Sequence, residues 1–193
     1  MKVLLINGSR REKQCTYTAL SIIAEALREE GIESEILFAG ERAANGQVNE
    51  LAREAAEKMK ESDALIVGAP VYYASPSAEI LMLLDRLFAI AGPDLIHKPG
   101  AAICSARRAG TSASLDVLNK YFLYSQMPLV ASDYWNMVHG SQASDVLKDE
   151  EGVQIMRTLG KNMAWILRCI EAAKAAGISA PESPKKIFTN FIR

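Results

Sequence analysis

The chain has 193 residues, 49% of them hydrophobic and 23% charged, with a formal net charge of −1. That length suits one domain of about 100–200 residues with a sizeable core. The charge balance excludes the basic excess of a nucleic-acid-binding domain, and no segment approaches the ~20 apolar residues of a membrane span.

The apolar run after Met1-Lys2 is too short for a signal peptide, so a cytoplasmic protein is expected. Cys15, Cys104 and Cys169 are odd in number and far apart. They fit neither a disulfide framework nor a zinc site and are expected to be free thiols.

Val3-Leu4-Leu5-Ile6 predicts a first strand, ending at Asn7-Gly8-Ser9. Leu20, Ile23, Ala24 and Leu27 recur at helical spacing, and Gly31 stops that helix. Residues 33–38 alternate polar and apolar, as an outer strand would. Leu51, Ala55 and Met59 mark a second helix. The apolar run Ala64-Leu65-Ile66-Val67-Gly68-Ala69 has the pattern of a parallel strand buried on both faces. Ser75-Pro76 predicts the start of a third helix, a capping hydroxyl followed by proline at the first helical position. Residues 100–104 form a fourth strand, and Thr111 or Ser112 caps a fourth helix carrying Leu115, Leu118 and Phe122. Residues 128–130 predict a fifth strand, followed by a long connection over 131–148. The last helix opens in Asp149-Glu150-Glu151, acidic residues that suit the positive end of its dipole, and Gly177 ends it.

This βα alternation predicts an α/β fold: a three-layer, doubly wound, five-stranded parallel sheet. Five strands without a second half favour the flavodoxin-like order 2-1-3-4-5. One domain covers residues 1–193, with an extended tail over 177–193. Its apolar end, Ile187-Phe188-Thr189-Asn190-Phe191-Ile192, needs cover from its own domain or from a partner subunit.

Open parallel sheets bind ligands outside the carboxyl ends of their strands, at the switch point. Three loops reach that point. The first runs Gly8-Ser9-Arg10-Arg11-Glu12-Lys13-Gln14-Cys15-Thr16. It joins a strand to a helix N-terminus, where free N–H groups bind anions. Hydroxyls and arginines there suit a phosphate monoester; the alternative is an ordinary surface βα loop. It matches neither a triphosphate loop nor a dinucleotide fingerprint. The second loop holds Pro70, Val71, Tyr72, Tyr73, Ala74 and Ser75. Its aromatic rings suit a planar heterocycle, or they merely cap the core. The third holds Ser105, Ala106, Arg107, Arg108 and Gly110. Its arginines suit the pyrimidine end of a flavin, or they are solvated surface charge. Neither His97 nor His139 has a ligand-spaced partner, so no metal is expected. The aromatic segment over 134–140, which holds His139, follows the fifth strand on the same edge as these loops and either walls the site or contacts another subunit.

These loops resemble the flavodoxin-like NAD(P)H-dependent FMN reductase and multimeric flavodoxin superfamily. The matching residues are Gly8-Ser9-Arg10-Arg11, Gly68-Ala69-Pro70-Val71-Tyr72-Tyr73 and the Asp85-Arg86 that closes the third helix. The stretches over 105–110 and 134–140 look like the branch related to iron–sulfur flavoproteins. That branch carries a compact cysteine cluster, whereas residues 39–46 here contain no cysteine, so no cluster is expected. Arg10 stands where the family often has proline, and Cys15 where it often has asparagine.

The resemblance implies that Ser9, Arg11, Cys15 and Thr16 hold the FMN phosphate. Pro70, Val71, Tyr72, Tyr73, Ala74 and Ser75 would line the isoalloxazine ring. Ser105, Ala106, Arg107, Arg108 and Gly110 would meet its other side. It implies NADH or NADPH as co-substrate, a small-molecule electron acceptor, and a homodimer or homotetramer with FMN near a subunit interface. It supplies no catalytic side chain, because the flavin N5 carries the chemistry. The alternative is a flavodoxin-type electron carrier without its own NAD(P)H oxidation, and a third reading is a protein that has lost the flavin.

Overall fold

Along β1 (Lys2–Asn7), Leu4 and Ile6 belong to one hydrophobic cluster, and Val3 and Leu5 to another. Side chains of a strand alternate between faces, so a sheet begun this way must be covered twice. The computed structural model of the chain, which describes residues 1–185 and 187–189, has that arrangement. Helices α1 (Cys15–Glu29) and α7 (Glu150–Ala175) cover one face of the sheet. Helices α3 (Val48–Lys60), α4 (Ala78–Leu95) and α5 (Thr111–Tyr124) cover the other. The division follows from right-handed crossovers: the connection that moves back along the sheet lies on one face, those that move forward on the opposite one.

The remaining strands are β2 (Glu33–Phe38), β3 (Ala64–Tyr72), β4 (Ser75–Pro76), β5 (Gly100–Ala106) and β6 (Met137–His139). Five parallel strands run in the order β2-β1-β3-β5-β6. The predicted fold class holds, with one correction to the order. The two-residue β4, paired antiparallel to the end of β3, comes fourth in the chain but lies off this path, so β5 and β6 complete the parallel order. Ser75-Pro76 therefore closes a hairpin instead of opening the third helix. Proline is tolerated in such a short edge strand because no ladder there needs its N–H. The N-cap of α4 is Ser77.

The fifth strand is also corrected. Leu129 makes only a single bridge to Gly100. The chain leaves the sheet edge over 131–136 and returns as β6, paired with Cys104, Ser105 and Ala106. Asn136 fills the break: its side-chain N–H donates to the Ala102 carbonyl at 3.1 Å, and its own carbonyl accepts from Cys104 N–H at 3.0 Å.

Two short helices, α2 (Gly40–Ala44) and α6 (Ala143–Val146), lie where only connections were predicted. Asp85-Arg86 stands in the middle of α4 and does not close it. The predicted start of the last helix is met by Asp149, whose carboxylate accepts from Gly152 N–H at 3.0 Å. Of the tail, Ile187 and Phe188 are 93% and 77% exposed, and the expectation for Asn190, Phe191 and Ile192 lies outside the described residues. Among the described residues, no helix is long and apolar enough to cross a membrane.

Candidate functional site

At the carboxyl ends of β1, β3 and β5 the three loops converge on a cleft of about 250 Å³. Ser9, Arg11, Gln14, Cys15 and Thr16 form one wall. Pro70, Val71 and Tyr72 form the second, and Ser105, Ala106 and Arg107 the third. Gly140 and Ser141, just past β6, close the fourth side. A larger cavity of about 490 Å³ lies at the opposite, amino end of the sheet, bordered by Met1, Pro99 and Pro128. The carboxyl-edge cleft is the candidate, because that is where open parallel sheets bind ligands.

The first wall is an anion site in its chemistry. The opening N–H groups of an α-helix have no intrahelical partner. At α1 no side chain caps them, and no acidic residue occupies the first turn. Buried Asn7 shapes the loop ahead of it. Its Oδ1 accepts from Ser9 N–H at 3.0 Å, and its Nδ2 donates to the Glu12 carbonyl at 2.9 Å. Ser9 Oγ accepts from Arg11 N–H at 3.1 Å. Behind the loop, Gly40 is packed so closely that a Cβ there would lie 2.2 Å from the Ser9 carbonyl. Arg10 is turned to Glu79, 3.8 Å away, and does not line the cleft.

Cys15 is buried, and its thiol donates to the Gly140 carbonyl at 3.4 Å. Burial pushes its pKa up, against the lowering effects of the helix backbone and of Arg11. The sulfur is therefore a neutral wall atom and not a prepared nucleophile. Cys104, inside β5, is pushed up to about 12 by burial.

The second wall ends in the tight hairpin that joins β3 to β4. Its two central residues, Tyr73 and Ala74, have φ of 51° and 58°. Two-residue hairpins with both central residues at positive φ match the twist of their strands, and asparagine or glycine usually supplies them. A tyrosine and an alanine there hold strain. Tyr72 is half exposed and the Tyr73 side chain is wholly exposed. Gly110, at φ 96°, packs against this hairpin, and a Cβ on it would come within 2.7 Å of Ala74 Cα.

Of the predicted site residues, ten line the cleft: Ser9, Arg11, Cys15 and Thr16; Pro70, Val71 and Tyr72; Ser105, Ala106 and Arg107. Tyr73, Ala74, Ser75, Arg108 and Gly110 stand behind or beside it. Ser75 is spent in β4 and Gly110 in the start of α5. Arg108 offers its carbonyl to His139 Nε2, which donates at 3.1 Å.

Residues 1–142 match the family model described as NADPH-dependent FMN reductase. The chain belongs to this family. Membership makes it a flavin-dependent oxidoreductase whose cofactor is FMN. An iron-sulfur flavoprotein of Methanocaldococcus jannaschii is 29% identical over 192 residues, covering 89% of this chain and all of that one. The iron-sulfur flavoprotein of Methanosarcina thermophila is 24% identical, over 89% of this chain and 97% of its own. Among solved structures, an NADH:FMN oxidoreductase in its apo form superposes with a TM-score of 0.66 at 20% identity, over 86% of this chain and 89% of its own. A flavodoxin from the Archaea superposes at 0.65 with 15% identity, over 87% and 99%. At such identities these two structures carry the fold alone.

An iron–sulfur cluster is held by several thiolates converging on one point. This FMN reductase family member has three cysteines, on α1, in β5 and exposed on α7. They do not fit a cluster. Among the described residues, no group of three or more His, Cys, Asp or Glu is placed to hold a metal.

Of the 134–140 segment expected to wall the site, Gly140 reaches the cleft. Three features escaped sequence reasoning: Gln14 and Ser141 reach the cleft, and Asn7 builds the loop beside it. Ser141 lies beyond the break in the fifth strand, so no local pattern marks it. Asn7 carried a usable signal: an asparagine ending a buried strand is a polar side chain that must find partners.

Proposed function

We propose that the cleft binds FMN with its phosphate at the N-terminus of α1, and that the protein is an NAD(P)H oxidoreductase. It passes electrons from NADH or NADPH to a quinone, a flavin or another small acceptor. The observation that carries this reading is the uncapped, acid-free start of α1, joined in one cleft with Arg11, Ser9 and Thr16.

The fit can be argued from the chain itself. Amide N–H groups at a helix start and an adjacent guanidinium complement a phosphate dianion. A volume of about 250 Å³ is below the roughly 300–1,000 Å³ of ordinary ligand pockets. A molecule as large as FMN would therefore extend beyond it, over the exposed Tyr72–Ala74 hairpin and the arginine loop. Pro70 and Val71 would back the ring edge, and Arg107 would offer positive charge to the pyrimidine portion. Tyr73, with its side chain in solvent, leaves one side open to a second planar molecule. Tyr73, Ala74, Ser75, Arg108 and Gly110 then act by fixing the hairpin and the loop.

When bound, FMN supplies the redox chemistry, taking a hydride equivalent from the nicotinamide and releasing electrons to the acceptor. The protein positions, excludes water from the inner wall and offers positive charge. No acid–base side chain is required of it.

A single domain over 1–193 carries this function, in a homodimer or homotetramer. Exposed Met82 and Ile90 on α4 and Leu123 on α5, together with Ile187 and Phe188, support association. No nucleic-acid or membrane partner is proposed.

The experiment is anaerobic addition of NADH or NADPH to the FMN-loaded protein, followed at about 450 nm. Bleaching without a partner protein supports the reductase. Bound flavin that stays oxidised supports an electron carrier fed by another protein.

A further inference from the structure

We propose that His139 is a positioning residue: its ring tethers the arginine loop and thereby holds Arg107 at the wall of the cleft. The inference rests on the reading of that cleft as the FMN site.

The loop itself is poorly held. Residues 107–109 form no helix or strand and are exposed. Among the described residues, the one hydrogen bond they make is the one from His139 Nε2 to the Arg108 carbonyl, 3.1 Å long. A carbonyl only accepts, so the ring nitrogen must carry the proton there.

The histidine is fixed from behind. Its backbone N–H donates to Asp149 Oδ2 at 2.6 Å, while the other oxygen of that carboxylate caps α7 through Gly152 N–H. Nδ1 of the ring lies 3.7 Å from the same Oδ2. The next residue is held on both sides: Gly140 N–H donates to the Ala106 carbonyl at 3.0 Å, and the Gly140 carbonyl accepts from Cys15. A rigid corner built on a helix N-cap thus ends in a single donor aimed at the loop. A lone loop arginine pays a large rotamer and backbone entropy cost on binding, which such a tether reduces beforehand. His139 does not line the cleft, so it acts through Arg107 and Arg108.

The test pairs two substitutions of similar shape. His139→Gln keeps an N–H able to reach the Arg108 carbonyl, and His139→Met does not. Each is titrated with FMN and with riboflavin, and amide hydrogen exchange over 107–110 is measured without ligand. His139→Met should weaken both flavins by the same factor, about 10-fold for one lost hydrogen bond, and speed exchange in the loop. His139→Gln should stay within ~3-fold of the parent on the same scale, with parental exchange. Parental affinity and exchange in His139→Met, or equal losses in both variants, would overturn the proposal. So would a loss confined to FMN, which would place the effect at the phosphate end. If the parent protein binds neither flavin, the reading of the cleft fails instead, and the exchange comparison still decides the tether.

Discussion

Thr16 Oγ1 and Ser105 Oγ, 89 residues apart in the chain, lie 2.8 Å from each other and are both buried. This hydrogen bond joins the first turn of α1 to the end of β5 across β3. Gly68 makes the crossing possible, since a Cβ on it would come within 2.9 Å of Thr16 Cγ2. Thr16→Val leaves the Ser105 hydroxyl buried without its partner, which costs about 1–3 kcal/mol. Ser105→Ala does the same to Thr16. The double variant removes both polar groups and should be less destabilised than the sum of the single changes. Urea denaturation of the four proteins measures this; strict additivity would mean the two hydroxyls are not coupled.

Arg11 stands beside the start of α1, where the phosphate is proposed to bind. Arg11→Ala should weaken FMN by about 10- to 100-fold, the range for a hydrogen bond to a charged group. Riboflavin, which lacks the phosphate, should bind nearly as before. Fluorescence titration with both ligands separates the outcomes. An equal loss for both would move Arg11 away from the phosphate.

Gly40 supports the first loop from behind. Gly40→Ala would place Cβ at 2.2 Å from the Ser9 carbonyl, against backbone that cannot rotate away. The loop must shift, and overpacking of this kind costs about 1–3 kcal/mol. FMN affinity should fall with it. Gly46→Ala is the control: it also meets a glycine next to α2, at φ +85°, but with nothing within 4 Å. It should cost stability through its backbone alone and leave FMN affinity unchanged. Thermal unfolding and FMN titration together check both.

Glu35 on β2 accepts from Lys58 and pairs with Lys2 at 2.9 Å. The Lys58 and then the Lys2 ammonium groups hold its carboxyl below the usual range. A carboxylate with a lowered folded-state pKa adds stability that is fully present above its unfolded value of about 4.3. That stability disappears as pH falls through the folded value. Glu35→Gln should therefore be less stable at pH 7, by no more than about 1 kcal/mol for so exposed a cluster. The gap should close in acid. Denaturation midpoints from pH 7 down to ~3 measure it, and a gap independent of pH would contradict the electrostatic origin.

Much of the fold was legible because burial writes period into the chain. The continuous apolar run in β3 marked a strand buried on both faces, and the stripes of α1, α4 and α7 marked their core sides. The cleft followed from topology, since a parallel sheet brings three loops to one edge. What stayed hidden depends on atoms distant in sequence. Ser75-Pro76 reads equally well as a helix start or as a hairpin arm, and only pairing with Val71 and Tyr72 decides between them. The break in the fifth strand depends on the Asn136 side chain substituting for a ladder donor. Ser141 reaches the cleft beyond that break. Tyr73, Ala74 and Ser75 are site residues by the family resemblance, yet the hairpin keeps them off the cleft wall.

The most direct measurement is a crystal structure of the protein grown with FMN. The account predicts the phosphate within hydrogen-bond distance of the N–H groups opening α1 and of Arg11, with the ring between the Tyr72 hairpin and the arginine loop. FMN bound at another place, such as the cavity at the amino end of the sheet, or no retained FMN at saturating concentration, would contradict it.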